Sequence, residues 1–589
     1  MKNRLLFFLL LVTTQLLAQN DRVLPRGFAL GEEAKMADYI STVQQRSMAC
    51  EATPPNTAIR SLAEWEELQA IVITWTGFPA ILTEIVRHAK EEVEVIIVCS
   101  NATSVQNALS NGGVDWSTNV RFVIDNFDSI WVRDYGPNTA YLNDVEELVL
   151  VDWIYNRPRP LDDTVPETIA EELGLPLYCT TSVPNDLVHT GGNYMSDGMG
   201  TGFSSRLILE ENDATNDWGI SNHSEADVDR IMDDYLGIAE YIKMVALPFD
   251  GISHIDMHMK ILDEETLIVG QYPTGVADGP QIEANIFYIL SQFKTPYGNP
   301  YKIVRIPMPP DADDLYPDDA WFADYRTYTN AIFINKTILV PTYEEFYDST
   351  ALRIWRENMP GYKVVGIDCN AIIPLSGAIH CITKEVGVDE PLLITHEKQR
   401  EACNDEAIAL SASIKHVSGV SSAQVFYRND PNQAFVSVAM TAVANDEWTA
   451  EIPGQPGDAK LEYYIEATAN SGKTINRPIT APAGFWTVDI EQCTIVNTND
   501  LDASNSQLLA VFPNPASAIT CIPVETTQAF NGKLVLHDVL GRAVHTVHEG
   551  QFIRGSNKFF IDAAVFESGT YFLQMTTPAG VQNQAIIIE

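Results

Sequence analysis

At 589 residues and 65.3 kDa the chain is too long for one core, and the domain-length prior gives about three to five units. With 46% hydrophobic and 20% charged residues it can bury substantial cores, which excludes wholesale disorder. Its 37 Lys+Arg against 79 Asp+Glu give a formal net charge of −42 with no basic run anywhere, which argues against a nucleic-acid partner; an acidic surface serves solubility or cationic partners.

Residues 1–18 read as a signal peptide. Lys2 and Arg4 precede the apolar run from Leu5 to Val12, and Leu16-Leu17-Ala18 offers a small-residue cleavage site before Gln19. No later stretch approaches about 18 uninterrupted apolar residues, so no membrane-crossing segment is expected in the mature protein. Residues 19–49 form an N-terminal or propeptide segment. The eight cysteines are too few and too scattered for a disulfide scaffold.

From 50 to 390 the texture alternates. Leu68 to Trp75 is a short apolar run, Ala80 to Lys90 has helical spacing, and Val93 to Cys99 is β-branched again. Similar runs at Leu148 to Trp153, Thr266 to Gln271 and Ala331 to Thr342 imply an α/β domain, with no strict repeat visible. Over 396–494 the strand-like runs Ala423 to Arg428, Trp448 to Ile452 and Leu461 to Ala467 are separated by Pro, Gly and Asn turns, which predicts a β-sandwich. Cys403 and Cys493 sit at its edges, either as a staple or as unrelated thiols. A polar linker occupies 495–506. The tail, 507–589, carries Val511-Phe512-Pro513-Asn514-Pro515, Gly532 to Asp538 and Gly569-Thr570-Tyr571-Phe572-Leu573-Gln574. It resembles the C-terminal sorting domain of the type IX secretion system of Bacteroidota. That resemblance implies a small β domain, the secretion machinery as a partner, and a protein secreted or attached to the outer-membrane surface.

Five motifs in the α/β region are candidates for chemistry. Trp131-Val132-Arg133-Asp134-Tyr135-Gly136-Pro137 ends in a Gly-Pro turn, which predicts Asp134 on a loop rim. In Gly251-Ile252-Ser253-His254-Ile255-Asp256 an extended backbone would project His254 and Asp256 from one face. Asn330 opens the strand that ends at Val340-Pro341. Cys381 follows His380 late in the domain, and Asn156-Arg157-Pro158-Arg159-Pro160 is a basic pair stiffened by two prolines. Singly, each has an ordinary structural reading, and a Cys with His and carboxylates would serve peptidase chemistry equally well.

Together with Ala63-Glu64-Trp65-Glu66 and His189-Thr190-Gly191-Gly192-Asn193-Tyr194-Met195, these motifs resemble the agmatine deiminase and Porphyromonas-type peptidylarginine deiminase superfamily over about Cys50 to Asp389. The motif order is WxRDYGP, GGN, HxD, Asn, then HC. The resemblance implies a pentein fold, five ββαβ-type units arranged as an α/β propeller around the site, followed here by an Ig-like β-sandwich and the sorting domain. It assigns Asp134 and Asp256 to gripping a guanidinium and Cys381 to attacking its central carbon, with ionisation favoured by the bound cation and a nearby imidazolium. His254 would protonate departing ammonia and activate water; Asn330 would orient the thiol or substrate. Trp131 would wall the arginine methylenes, and no metal or organic cofactor is required.

Arg157 and Arg159 favour a peptide substrate over agmatine, because agmatine has no carboxylate for an arginine fork to read. The expected partners are therefore peptides or proteins with C-terminal arginine. An internal arginine would leave both cations without an acceptor, at about 1–3 kcal/mol. The alternatives are a secreted agmatine or free-arginine deiminase, and a non-catalytic surface protein that binds arginine-bearing peptides.

Overall fold

The structure, a computed structural model, describes residues 23–46, 49–216, 218–317, 323–457, 459–491, 506–516, 519–539, 541–578 and 580–588. The signal-peptide reading at 1–18, Cys493 and all of the linker except Ser506 lie outside them. Among the described residues no helix is long and apolar enough to cross a membrane. The chain divides into two compact units at Glu491 and Gln492.

Among the described residues the α/β region of the first unit contains five sheets, and each repeats one order: an antiparallel strand pair, a helix, and a strand parallel to the second of the pair. In one, Asn138–Leu142 pairs with Glu147–Tyr155, helix Val165–Leu173 crosses over, and Leu177–Thr180 lies parallel to Glu147–Tyr155. The next sheets are Met195–Ser196, Thr201–Ser205 and Glu240–Met244, then Met259–Asp263, Thr266–Gln271 and Lys302–Pro307, then Ile332–Ile334, Thr337–Thr342 and Lys363–Asp368. The last strand, Lys384–Gly387, runs back antiparallel to Leu68–Thr74, which is parallel to Glu94–Cys99 across helix Pro79–Ala89. A parallel pair cannot be joined by a tight turn, so each unit needs its crossover helix. The central strands read as unbroken apolar runs because both faces are buried: Ala70, Ile71, Val72 and Ile73 are all 0–1% exposed. The run from Ala331 to Thr342, expected as one strand, is a hairpin that turns at Asn335, whose φ of 49° an asparagine tolerates.

A disulfide joins Cys50 to Cys179 across 129 residues and pins the start of this region to strand Leu177–Thr180. Ahead of it, helix Met36–Gln45 buries Met36, Tyr39, Ile40 and Val43 in a small cluster with Ile154 and Val188.

Residues 393–491 form two sheets that share a core. Leu393–Thr395, Ile408–Lys415, Glu447–Ile452 and Thr441–Ala442 make one. Glu401–Cys403, Trp486–Glu491, Ala459–Ala469, Val420–Arg428 and Val436–Ala439 make the other, with Thr474–Arg477 added to it. Leu410, Ile414, Val425, Leu461, Ile465 and Val488 pack between them. Cys403 is disulfide-bonded. Arg477 ties this module to the α/β region through Glu264 at 2.8 Å.

The described residues of the second unit form two antiparallel sheets. Ser506–Leu508, Ile519–Thr526 and Gly555–Asp562 form one; Ala543–Phe552, Phe530–His537, Gly569–Thr577 and Gly580–Ile588 form the other. Leu534, Leu536, Leu573, Met575 and Ile586 form its core.

Candidate active site

The five-unit order explains how residues far apart in sequence meet. Each sheet's leading strand is entered through a short irregular turn, and these turns carry the candidate side chains. Asp134 lies in the helical turn Val132–Tyr135 before Asn138; Gly191–Asn193 precedes Met195; Ile255–Met257, holding Asp256, precedes Met259; Asn330 precedes Ile332; and His380–Ile382 precedes Lys384. Three of these turns are 3-10 helices, too short to continue and set to re-aim the chain.

Two local expectations are corrected. Asp134 is not on a loop rim: Tyr135 packs behind it, its phenol donating to the Ser129 carbonyl at 2.8 Å, and the carboxylate is buried. The His254–Asp256 stretch is not extended, since Asp256 sits in a 3-10 turn; both side chains still reach the site.

What occupies the centre is Arg26, from the N-terminal segment. Its Nε donates to Asp134 Oδ2 at 2.9 Å and its Nη2 to Asp134 Oδ1 at 2.9 Å. The same Nη2 donates to Asp256 Oδ2 at 3.0 Å, and Nη1 donates to Asp256 Oδ1 at 3.1 Å. Nη1 also lies 2.6 Å from Cys381 Sγ. Two carboxylates thus hold one planar cation at its three nitrogens, with the thiol against it. Arg26 is 1% exposed and Cys381 is 0% exposed, so the guanidinium fills the site. Gly192 makes room for it: a Cβ there would stand 1.6 Å from Arg26 Nη2, and the Gly192 N–H donates to Asp134 Oδ1 at 3.1 Å.

Asn330 Nδ2 donates to Cys381 Sγ at 3.0 Å, while its Oδ1 accepts from the His380 N–H at 3.0 Å. Behind Asp256, His380 Nδ1 lies 2.9 Å from Oδ2, and His380 Nε2 lies 3.5 Å from Glu64 Oε1, itself paired with Lys260. His254 Nδ1 is 3.7 Å from Asp134 Oδ1, and neither of its buried ring nitrogens has a hydrogen-bond partner.

Burial works to raise both carboxyls; the Arg26 guanidinium works against it, joined at Asp256 by the hydrogen bond with His380, and both carboxyls stand below the usual carboxylate range. Burial, then the same cation, pushes His254 down to about 3. His254 is therefore held neutral while Arg26 fills the site. Burial pushes the Cys381 thiol well up, with Arg26 pulling the other way.

The arginine pair at 157 and 159 reads main chain. Arg157 Nε donates to the Arg26 carbonyl at 3.2 Å, and Arg159 Nη2 donates to the Pro25 and Gly27 carbonyls at 2.8 and 3.0 Å. Arg159 also meets the Glu32 carboxylate as a fork, Nε to Oε1 and Nη2 to Oε2, both at 3.0 Å. The expectation that an arginine with chain beyond it leaves both cations without an acceptor fails for this segment. Its carbonyls turn toward them, and Glu32 supplies a carboxylate. Trp131 likewise contacts main chain, its indole N–H donating to the Leu24 carbonyl at 2.9 Å.

A family profile described as Porphyromonas-type peptidyl-arginine deiminase matches residues 60–386, and one described as secretion system C-terminal sorting domain matches residues 510–589. The agmatine deiminase of Pseudomonas aeruginosa (strain LESB58) is 26% identical over 375 residues, covering 57% of this chain and 97% of that protein. The solved agmatine deiminase of Enterococcus faecalis aligns at 19% identity over 57% of this chain and 99% of its own, with a TM-score of 0.48. An X-ray structure assigned as an agmatine deiminase aligns at 22% identity over 58% of this chain and 100% of its own, with a TM-score of 0.50; at that identity the likeness concerns the fold alone.

Proposed function

The chain belongs to the Porphyromonas-type peptidyl-arginine deiminase family, and from that premise we propose that it hydrolyses the guanidinium of peptidyl-arginine to citrulline and ammonia. It carries a type IX secretion C-terminal sorting domain, which makes it a protein of the cell surface or extracellular space. We read the five α/β units as the blades of a pentein propeller, and the two-sheet module as Ig-like.

The observation that carries the substrate reading is the contact of Arg157 and Arg159 with the carbonyls of Pro25, Arg26 and Gly27. Agmatine offers no such acceptors. Two buried cations would then face a ligand that satisfies neither, a costly arrangement in a dry site.

In this reading Asp134 and Asp256 compensate the guanidinium charge and fix its plane. Cys381 Sγ attacks the central carbon while Asn330 orients the sulfur. His254, with two free ring nitrogens, relays the thiol proton to the departing amine and then takes one from the water that resolves the thiouronium. His380 holds Asp256 in position through Nδ1. Citrulline is neutral and loses its attraction to the two carboxylates, which favours release.

C-terminal arginine is the preferred form. Among the described residues Arg157 makes no ion pair, and its only acceptors are the Arg26 and Asn156 carbonyls. A terminal carboxylate would place an anion where the Arg26 carbonyl stands. Arg159 would also be served once Glu32 has left. The test is ammonia release from agmatine, free arginine, a peptide ending in arginine, and the same peptide amidated, using Arg26→Gln protein. We expect the free-acid peptide to lead its amide by roughly tenfold to a few hundredfold. Faster turnover of agmatine than of either peptide would overturn the substrate reading, and equal rates on acid and amide would overturn the terminal preference.

A further inference from the structure

Resting on the deiminase reading, we propose that Arg26 is the enzyme's own first substrate: a latch that keeps the site closed until Cys381 deiminates it in place. The segment is bound as a substrate would be. Its guanidinium holds both carboxylates and touches the thiol, and its main chain is read on both sides of the arginine. Arg26 N–H donates to the Leu375 carbonyl at 3.1 Å, and the Phe28 ring lies 4.2 Å under the Arg157 guanidinium. Helix Met36–Gln45 then docks through its own apolar face, so the segment is held at three places.

Two guanidinium groups cannot share this space, so external arginine is excluded while Arg26 is seated. Simple dissociation clears the site poorly. The segment remains joined to the body at Cys50, which is disulfide-bonded to Cys179, and a short tether keeps its effective concentration near the millimolar range. An external peptide at lower concentration competes badly with that. Changing the chemistry of Arg26 removes the advantage, because a ureido group carries no charge for Asp134 and Asp256.

The steps balance. Cys381 Sγ bonds to Cζ of Arg26, one Cζ–Nη bond breaks, and the thiol proton leaves with that nitrogen as ammonia through His254. Water then adds to Cζ, the S–Cζ bond breaks, and the thiol is restored with one proton released. The net change is arginine plus water to citrulline plus ammonium. Each charge-assisted hydrogen bond lost at the carboxylates weakens the latch by roughly ten- to a hundredfold.

The test compares the full chain as native protein, as Cys381→Ala and as Arg26→Gln. Digests are weighed for the replacement of NH by O at residue 26, and ammonia release from an external arginine peptide is followed in time. We expect the modification in the native chain and not in Cys381→Ala. The native time course should show a lag that tracks conversion of residue 26, and Arg26→Gln should show none. An unmodified Arg26 in native protein, whether the protein turns over or stays latent, overturns the proposal, as does modification in Cys381→Ala. Failure of Arg26→Gln to act on any arginine compound would instead strike the deiminase reading itself.

Discussion

Gly192→Ala puts the geometry of the guanidinium site to a severe test. The added methyl would stand 1.6 Å from the position of Arg26 Nη2 and 2.8 Å from Asp134 Oδ1. Ordinary carbon contacts begin near 3.5 Å, so the substrate group would have to move by about 2 Å, or Asp134 would have to turn away. A misplacement of about 1 Å already costs roughly 10²-fold in rate, and Gly192→Ala should lose at least that much in kcat/KM. Gly192 does not use a positive φ, so the backbone accepts alanine and folding should be preserved. The assay is ammonia release from an arginine peptide in the Arg26→Gln background, beside a melting curve. Gly251→Ala serves as the control, since its Cβ would meet nothing within 4 Å. Retention of kcat/KM within about threefold by Gly192→Ala would refute the placement of the guanidinium, because a shift of even 1 Å should cost far more.

In the Arg26→Gln background, Asp134→Asn and Asp256→Asn should each cost several kcal/mol of transition-state stabilisation, read from kcat/KM, with the melting temperature nearly unchanged for Asp134→Asn. A large thermal loss with a mild kinetic one would make the residue structural. The latch should also loosen in acid. Against burial, Arg26, joined at Asp256 by His380, depresses the folded pKa values of Asp134 and Asp256, so their contribution is full above the unfolded value near 4 and is lost as pH falls. His254 is held neutral with its pKa near 3, so its penalty for charging grows as pH falls from about 6.5. All three act in one direction. Cleavage of residues 23–46 by an acid-active protease in Cys381→Ala should rise below about pH 6.5 and steeply near pH 4, and a flat profile would contradict the assignment of these groups to the latch.

Much of this site was legible in the motif order, because residue types that grip and attack a guanidinium are few: Asp134, Asp256, His254, Asn330 and Cys381 do converge. The α/β alternation was equally visible in the apolar runs. The repeat was hidden because the five turns share a place in the fold and almost no sequence. Arg26 carries no local signal: a single arginine after a proline meets partners 108, 230 and 355 residues away, and only the folded chain brings them together. The Cys50–Cys179 bridge spans 129 residues and has no spacing rule to betray it. The NRPRP segment announced two forks but not their acceptors, since a carbonyl and a carboxylate look alike from the arginine's side.

The proposed reaction turns on a covalent bond from Cys381 to the guanidinium carbon held by Asp134 and Asp256. Rapid acid quench of Arg26→Gln protein turning over an arginine peptide, followed by digestion and mass analysis, reads that bond directly. An adduct on the Cys381 peptide equal to substrate less ammonia is expected, absent in Cys381→Ala. Steady ammonia release with the adduct on Cys369, or with Cys381→Ala still active, would contradict it.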